Sequence, residues 1–244
     1  MEVAMEVLTA VENAPAQATR TEWSMAKRIA FRFCFVYLGL YCIAALLPGG
    51  LPIPGLEIPD PFTLPPFRQV VFWVGAHIFG AKLPLVYSGS GSGDKTYDWV
   101  EVFCLLIVAV VSTMIWTLAD RNRREYAALY KWFRVYIRFC LATTILIYAF
   151  DKLVPLQMSY PHFQSQLQPF SAFSPAGILW NFIGASPGYE IFAGVAELAG
   201  GVLLMFPQTV TLGALVCLTD TIQVWMLNMT YDVPVKQYSF HLLL

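Results

Sequence analysis

The sequence predicts an all-α polytopic membrane protein, a bundle of transmembrane helices. Three observations carry this. Val102–Ala119 (VFCLLIVAVVSTMIWTLA) holds no charged residue, and a bilayer-crossing helix needs roughly 18–20 apolar residues. Of the 244 residues, 57% are hydrophobic and 13% charged, against roughly 25% charged in soluble globular chains; mean hydropathy is +0.59. Lysines and arginines also crowd two short regions and leave the longest loops nearly free of them.

Taken in chain order, residues 1–25 carry Glu2, Glu6 and Glu12 before the first basic residue, Arg20. A secretory signal starts basic, so a disordered cytoplasmic tail and an uncleaved first span are expected. That span is placed at about Lys27–Leu47, with Lys27, Arg28 and Arg32 at its start and Pro48-Gly49-Gly50 as its stop. Leu51–Pro66 is too proline-rich for a helix and reads as an extended loop. Phe67–Ala81 is apolar and aromatic but short, which suits an interfacial helix. The turn Ser88–Asp94 leads into a second span at about Trp99–Leu118.

Arg121, Arg123, Arg124, Lys131, Arg134 and Arg138 then crowd Asp120–Arg138. A third span is expected at Val135–Val154, followed by a polar loop, Pro155–Pro187, without Lys or Arg. The fourth span is Gly188–Phe206 and the fifth about Thr209–Met229, with Pro207 in the tight connection. The positive-inside rule puts the N-terminus in the cytoplasm and both long loops outside, which fits every span to one alternating topology. After the turn Tyr231–Pro234, the apolar run Gln237–Leu244 is too short to span; the expectation is a sixth helix cut short rather than lost. The chain thus divides into the tail (1–25), a two-span extension with its interfacial helix (26–133) and a C-terminal bundle (134–244).

Composition also sets aside several functions. A net charge of −1 gives no basic field for nucleic acid. Cys34, Cys42, Cys104, Cys140 and Cys217 lie in apolar runs without a Cys-x-x-Cys pair, against a disulfide exchanger. His77, His162 and His241 are scattered, so neither haem nor a metal site is expected.

Ionisable residues inside the spans are the candidates for function, since each costs on the order of 2.5–3.5 kcal/mol at a helix centre and should face the bundle interior. Glu190 and Glu197 share one face of the fourth span, Glu197 among Gly194, Ala196, Ala199, Gly200 and Gly201, which allow a close neighbour. Arg138 and Lys152 share a face of the third span but sit near opposite ends, so one carboxylate cannot pair with both; Glu101 is a further acid for Lys152. Asp220 and Gln223 are neighbours on the fifth span. If the turn after it folds back over the bundle, Asp232, Lys236 and His241 join Lys152.

Two segments carry a resemblance. RFCLATTILIYAFDKLVP (Arg138–Pro155) has Arg at one end and Lys near the other, and AGVAELAGGVLLMFPQTVTLGALV (Ala193–Val216) has Glu-Leu-x-Gly-Gly, a break and a second apolar helix. Over about Arg134–Leu244 this resembles the DoxX-like family of small four-helix membrane proteins, in whose long forms an N-terminal extension precedes the bundle. The residues carried over are Arg138, Lys152, Glu197, Gly200 and Gly201. The family's name-giving member is associated with thiosulfate:quinone oxidoreduction. The resemblance therefore implies an inner-membrane, quinone-associated subunit of redox or sulfur metabolism, with electrons supplied by a redox partner subunit. On that reading Arg138, Lys152, Glu197 and Asp220 form a quinone-headgroup or proton site; the plainer reading is an interhelical clamp. A proton-coupled or small-solute transporter, and a non-catalytic assembly protein, stand as alternatives.

Overall fold

A computed structural model describes residues 22–46, 61–88 and 93–244. The expectations for the tail up to residue 21, for the stop after the first span and for most of the proline-rich loop lie outside the described residues. Helices account for the regular structure, and there is no strand among the described residues.

Helix α1 (Met25–Tyr41) starts where the Ser24 hydroxyl accepts from the Lys27 amide (3.2 Å), filling one of the donors a helix start leaves open. It continues as a π turn, Cys42–Leu46. The segment expected at the interface is helix α2 (Phe67–His77), with Trp73 exposed and Val71 and Gly75 buried against the next helix. Helix α3 (Thr96–Ala119) is the uncharged run extended by six residues at its start. It buries Leu105, Ala109 and Thr113, while Met114, Ile115 and Leu118 are each 61% exposed. An exterior this apolar is stable only against lipid. With three further helices of spanning length and composition, it makes this an integral, multi-pass membrane protein in contact with the bilayer.

Helix α4 (Ala127–Leu153) begins well before Val135, because Lys131 and Arg134 ride on its exposed side instead of ending it. The division expected at 133/134 therefore falls inside one helix. The loop Pro155–Pro187 also needs correction. It contains a single turn, α5 (Phe163–Leu167), and a real helix, α6 (Pro175–Gly184). Ser174 caps α6 by accepting from the Gly177 amide (3.1 Å), and Pro175 occupies the first helical position, where its missing N–H costs nothing. Helices α7 (Pro187–Met205) and α8 (Val210–Thr230) follow, then the short α9 (Lys236–Leu243) over the expected apolar run.

Helices α4, α7 and α8 pack most extensively, with α9 against α8, which makes a C-terminal four-helix bundle; α1 and α2 pack on α3. The two portions share a core, since Tyr41 and Cys42, Leu105 of α3 and Cys140 of α4 cluster with Tyr238 and Leu242 of α9. Gly201 faces α4 at Leu146, and Gly200 faces α8 at Cys217, so the paired glycines serve two different neighbours.

The bundle has two unlike ends. At one, Arg32 is 2% exposed and fully engaged. Its guanidinium donates to the Tyr126 hydroxyl (2.9 and 2.6 Å), Thr117 Oγ1 (2.9 Å) and the Asp120 carbonyl (2.9 Å), while Tyr126 donates to Asp120 Oδ2 (2.9 Å). A satisfied buried charge of this kind locks α1, α3 and α4 together. Tyr126→Phe should lower unfolding stability in detergent by about 1.5–3 kcal/mol, the scale of hydrogen bonds to a charged group; a change near zero would show that water replaces the phenol.

At the other end, Asp94 caps α9 from far away in the chain. Its two oxygens accept from the amides of Lys236 (2.8 Å) and Gln237 (2.9 Å), and the Gly93 amide donates to the Pro234 carbonyl (2.9 Å).

Candidate functional site

The Asp94-capped end also holds the candidate site. Lys152 lies in the last turn of α4 and is 7% exposed. Glu197 lies mid-way along α7 and is 4% exposed. Their contact depends on Gly194: a Cβ there would stand 2.9 Å from Lys152 Cβ and 3.0 Å from the Ala149 carbonyl. Without a side chain, α7 approaches α4 closely enough for Lys152 Nζ to pair with Glu197 Oε1.

Asp220 of α8 completes the group, its carboxyl within hydrogen-bonding reach of Glu197. The threonines flanking it bond within their own helix instead, Thr219 to the Leu215 carbonyl (2.9 Å) and Thr221 to that of Cys217 (2.7 Å). Glu197 Oε2 and Asp220 Oδ2 are buried and receive no bond from a donor among the described residues. A hydrogen bond between two carboxyls needs a proton on one of them. One amine thus faces two carboxyls in this group.

These groups line a cavity of about 460 Å³ enclosed by α4, α6, α7, α8, α9 and the turn before α9. Ile145, Leu179, Trp180, Val224 and Leu227 form much of its apolar wall, with Tyr148 and Tyr238 beside Lys152. Its size and its few convergent polar groups are those of a small-molecule site. Glu190 and Gln223 line it too, as the shared helix faces predicted.

Arg138 is not brought there. Fourteen positions before Lys152, it sits about 21 Å along the same helix at 1.5 Å per residue. It is half-buried, with its guanidinium 4.8 Å from the Phe139 ring centroid and Nε without a partner among the described residues. The turn after α8 does fold back over the cavity, but through Val233, Pro234 and Val235. Contrary to expectation, Asp232 and Lys236 pair with each other (2.8 Å) away from the cavity. His241 accepts or donates at Tyr37 Oη (2.7 Å) and stacks on Tyr41 (3.8 Å), because α9 lies against α1. The wall supplied by α6, Trp180 above all, was hidden in a segment that reads as loop; the Ser-Pro start was its one available signal.

Among the described residues, no group of three His, Cys, Asp or Glu is placed to hold a metal ion. No family model matches the chain, and no solved structure matches it. It is 29% identical over 102 residues to the uncharacterized protein YwoB of Bacillus subtilis (strain 168), a stretch covering 42% of this chain and 64% of that protein.

Proposed function

We propose that the cavity receives the polar head of a lipid-soluble quinone, and that the chain is a DoxX-like, quinone-associated subunit of the inner membrane. The observation that carries this reading is the Lys152–Glu197–Asp220 set, carried by three helices of spanning length yet lining an apolar cavity. Ionisable groups inside a membrane are expensive and are expected where a polar ligand or proton is handled.

A quinone, when bound, supplies two-electron, two-proton redox chemistry. The ammonium of Lys152 is the donor suited to a carbonyl oxygen. The carboxyls of Glu197 and Asp220 are the groups here that can give or take a proton. Tyr148 and Tyr238 add phenol groups to the same wall. Because the sequence has no Cys-x-x-Cys pair, the electrons would pass through a partner subunit. The positive-inside rule applied to the Arg32 end puts that end in the cytoplasm and the cavity toward the outer face.

Binding of a short-chain ubiquinone to the purified protein in mild detergent tests the proposal. Wild type should bind in the micromolar range and Glu197→Gln should not, with both proteins giving the same elution profile and far-UV spectrum. Absence of binding to wild type would overturn the reading and leave the three residues as an interhelical clamp.

A further inference from the structure

The cavity has a second polar pole that the quinone reading does not use. Glu190, in the first turn of α7, is 1% exposed. Its Oε1 accepts from the Met158 amide (2.9 Å), while Oε2 is buried with no donor among the described residues. Gln157 Oε1, on the same cavity, is likewise buried without a donor. Seven residues separate Glu190 from Glu197 on one helix face, about 10 Å along the axis. Lys152 pairs with Glu197 and forms no ion pair with Glu190.

Charge balance points the same way. Among the described residues lining the cavity, one side chain carries an amine, Lys152, and three carry carboxyls, Glu190, Glu197 and Asp220. The amine of Lys152 pairs with Glu197, which leaves Glu190 over. Among the described residues no ion pair reaches it. A buried carboxyl with one open oxygen, together with an amide oxygen that is also open, offers acceptors to a ligand rich in donors. Its complement is a cation carrying several N–H donors. Trp180 and Tyr189, aromatic residues of the kind that attract a nearby cation, line the same cavity, and the remaining wall suits an alkyl chain.

We propose that Glu190 and Gln157 bind the ammonium group of an amphipathic primary amine whose apolar part occupies the cavity. The ammonium donates to Glu190 Oε2 and Gln157 Oε1, and its charge balances the carboxylate. The same chemistry could come from a free alkylamine or from the ethanolamine head of a phospholipid.

The test measures octylamine binding to the full chain in detergent, by calorimetry and by quenching of tryptophan fluorescence. Octanol and octanoate serve as chain-matched controls without the cation. Octylamine should bind and the controls should not. Glu190→Gln, which keeps an acceptor for the Met158 amide, should weaken octylamine by about tenfold or more, the worth of a charge-assisted bond. Gln157→Leu should weaken it less. Gln157→Leu also decides the matter if Glu190→Gln fails to fold. Equal binding of octanol, no octylamine binding to wild type, or unchanged affinity in the folded variants would overturn the proposal. Reconstitution in nanodiscs of phosphatidylethanolamine against phosphatidylcholine separates the sources. Octylamine excluded only by the former identifies the lipid head, and equal binding in both identifies a free amine. Ubiquinone binding is read in a separate experiment on Glu197→Gln, so either reading can fail without the other.

Discussion

Lys152→Met should destabilise the protein in detergent by about 3–5 kcal/mol, the cost of stripping one member from a buried ion pair. The loss should show as a lower midpoint in denaturant or on heating. Lys152 is the cation that balances Glu197 and Asp220, and methionine matches its length without its charge. The double variant Lys152→Met/Glu197→Gln should recover most of the loss. The Gln amide can donate to Asp220, and no unbalanced charge stays buried. A double variant as unstable as the single one would mean that the lysine stem, not its charge, holds α4 to α7.

The second large effect is expected at Gly194. A Cβ there would stand 3.0 Å from the Ala149 carbonyl and 3.1 Å from the Leu153 amide nitrogen. Both are backbone atoms of α4 and cannot rotate aside, so the two helices must separate. Gly194→Ala should cost about 1–3 kcal/mol by overpacking, and Gly194→Val should abolish the folded, monodisperse species on size exclusion. Gly188→Ala, in the same helix but with nothing within 4 Å of its added carbon, should be neutral or slightly stabilising. If both alanine variants behave alike, helix propensity rather than close approach governs α7.

Much of the architecture was legible because lipid imposes a simple rule on sequence. An uncharged run such as Val102–Ala119 has few alternatives to a spanning helix, and a lone Glu or Asp inside such a run must find a polar neighbour. That logic singled out Lys152, Glu197 and Asp220 together, which meet around one cavity. It could not choose between Arg138 and Lys152 as the partner of Glu197, since both lie on a similar face; depth along α4 decided the matter. It also read Arg32 as an interfacial flank, when Tyr126 and Asp120, distant in sequence, draw its guanidinium inside. Helix α6 escaped notice because ten residues between prolines carry too little periodicity to separate a helix from an apolar loop. The charges of Asp232 and Lys236 were misplaced for a similar reason. A turn reveals that the chain reverses, but not which of its side chains point inward.

The Asp94 contact has a bearing on biogenesis. A membrane chain enters the bilayer helix by helix as the ribosome makes it, and Asp94 is synthesised 142 residues before the amide of Lys236 that it caps. Until those two positions meet, the first turn of α9 has open donors, and the Asp94 carboxylate lacks the amides it will accept from. Docking of that turn is thus a late event that reports whether α3 and α8 have reached their places. A membrane protease that samples frayed helix ends would find one on any copy in which this meeting had failed, and none on a copy in which it had succeeded.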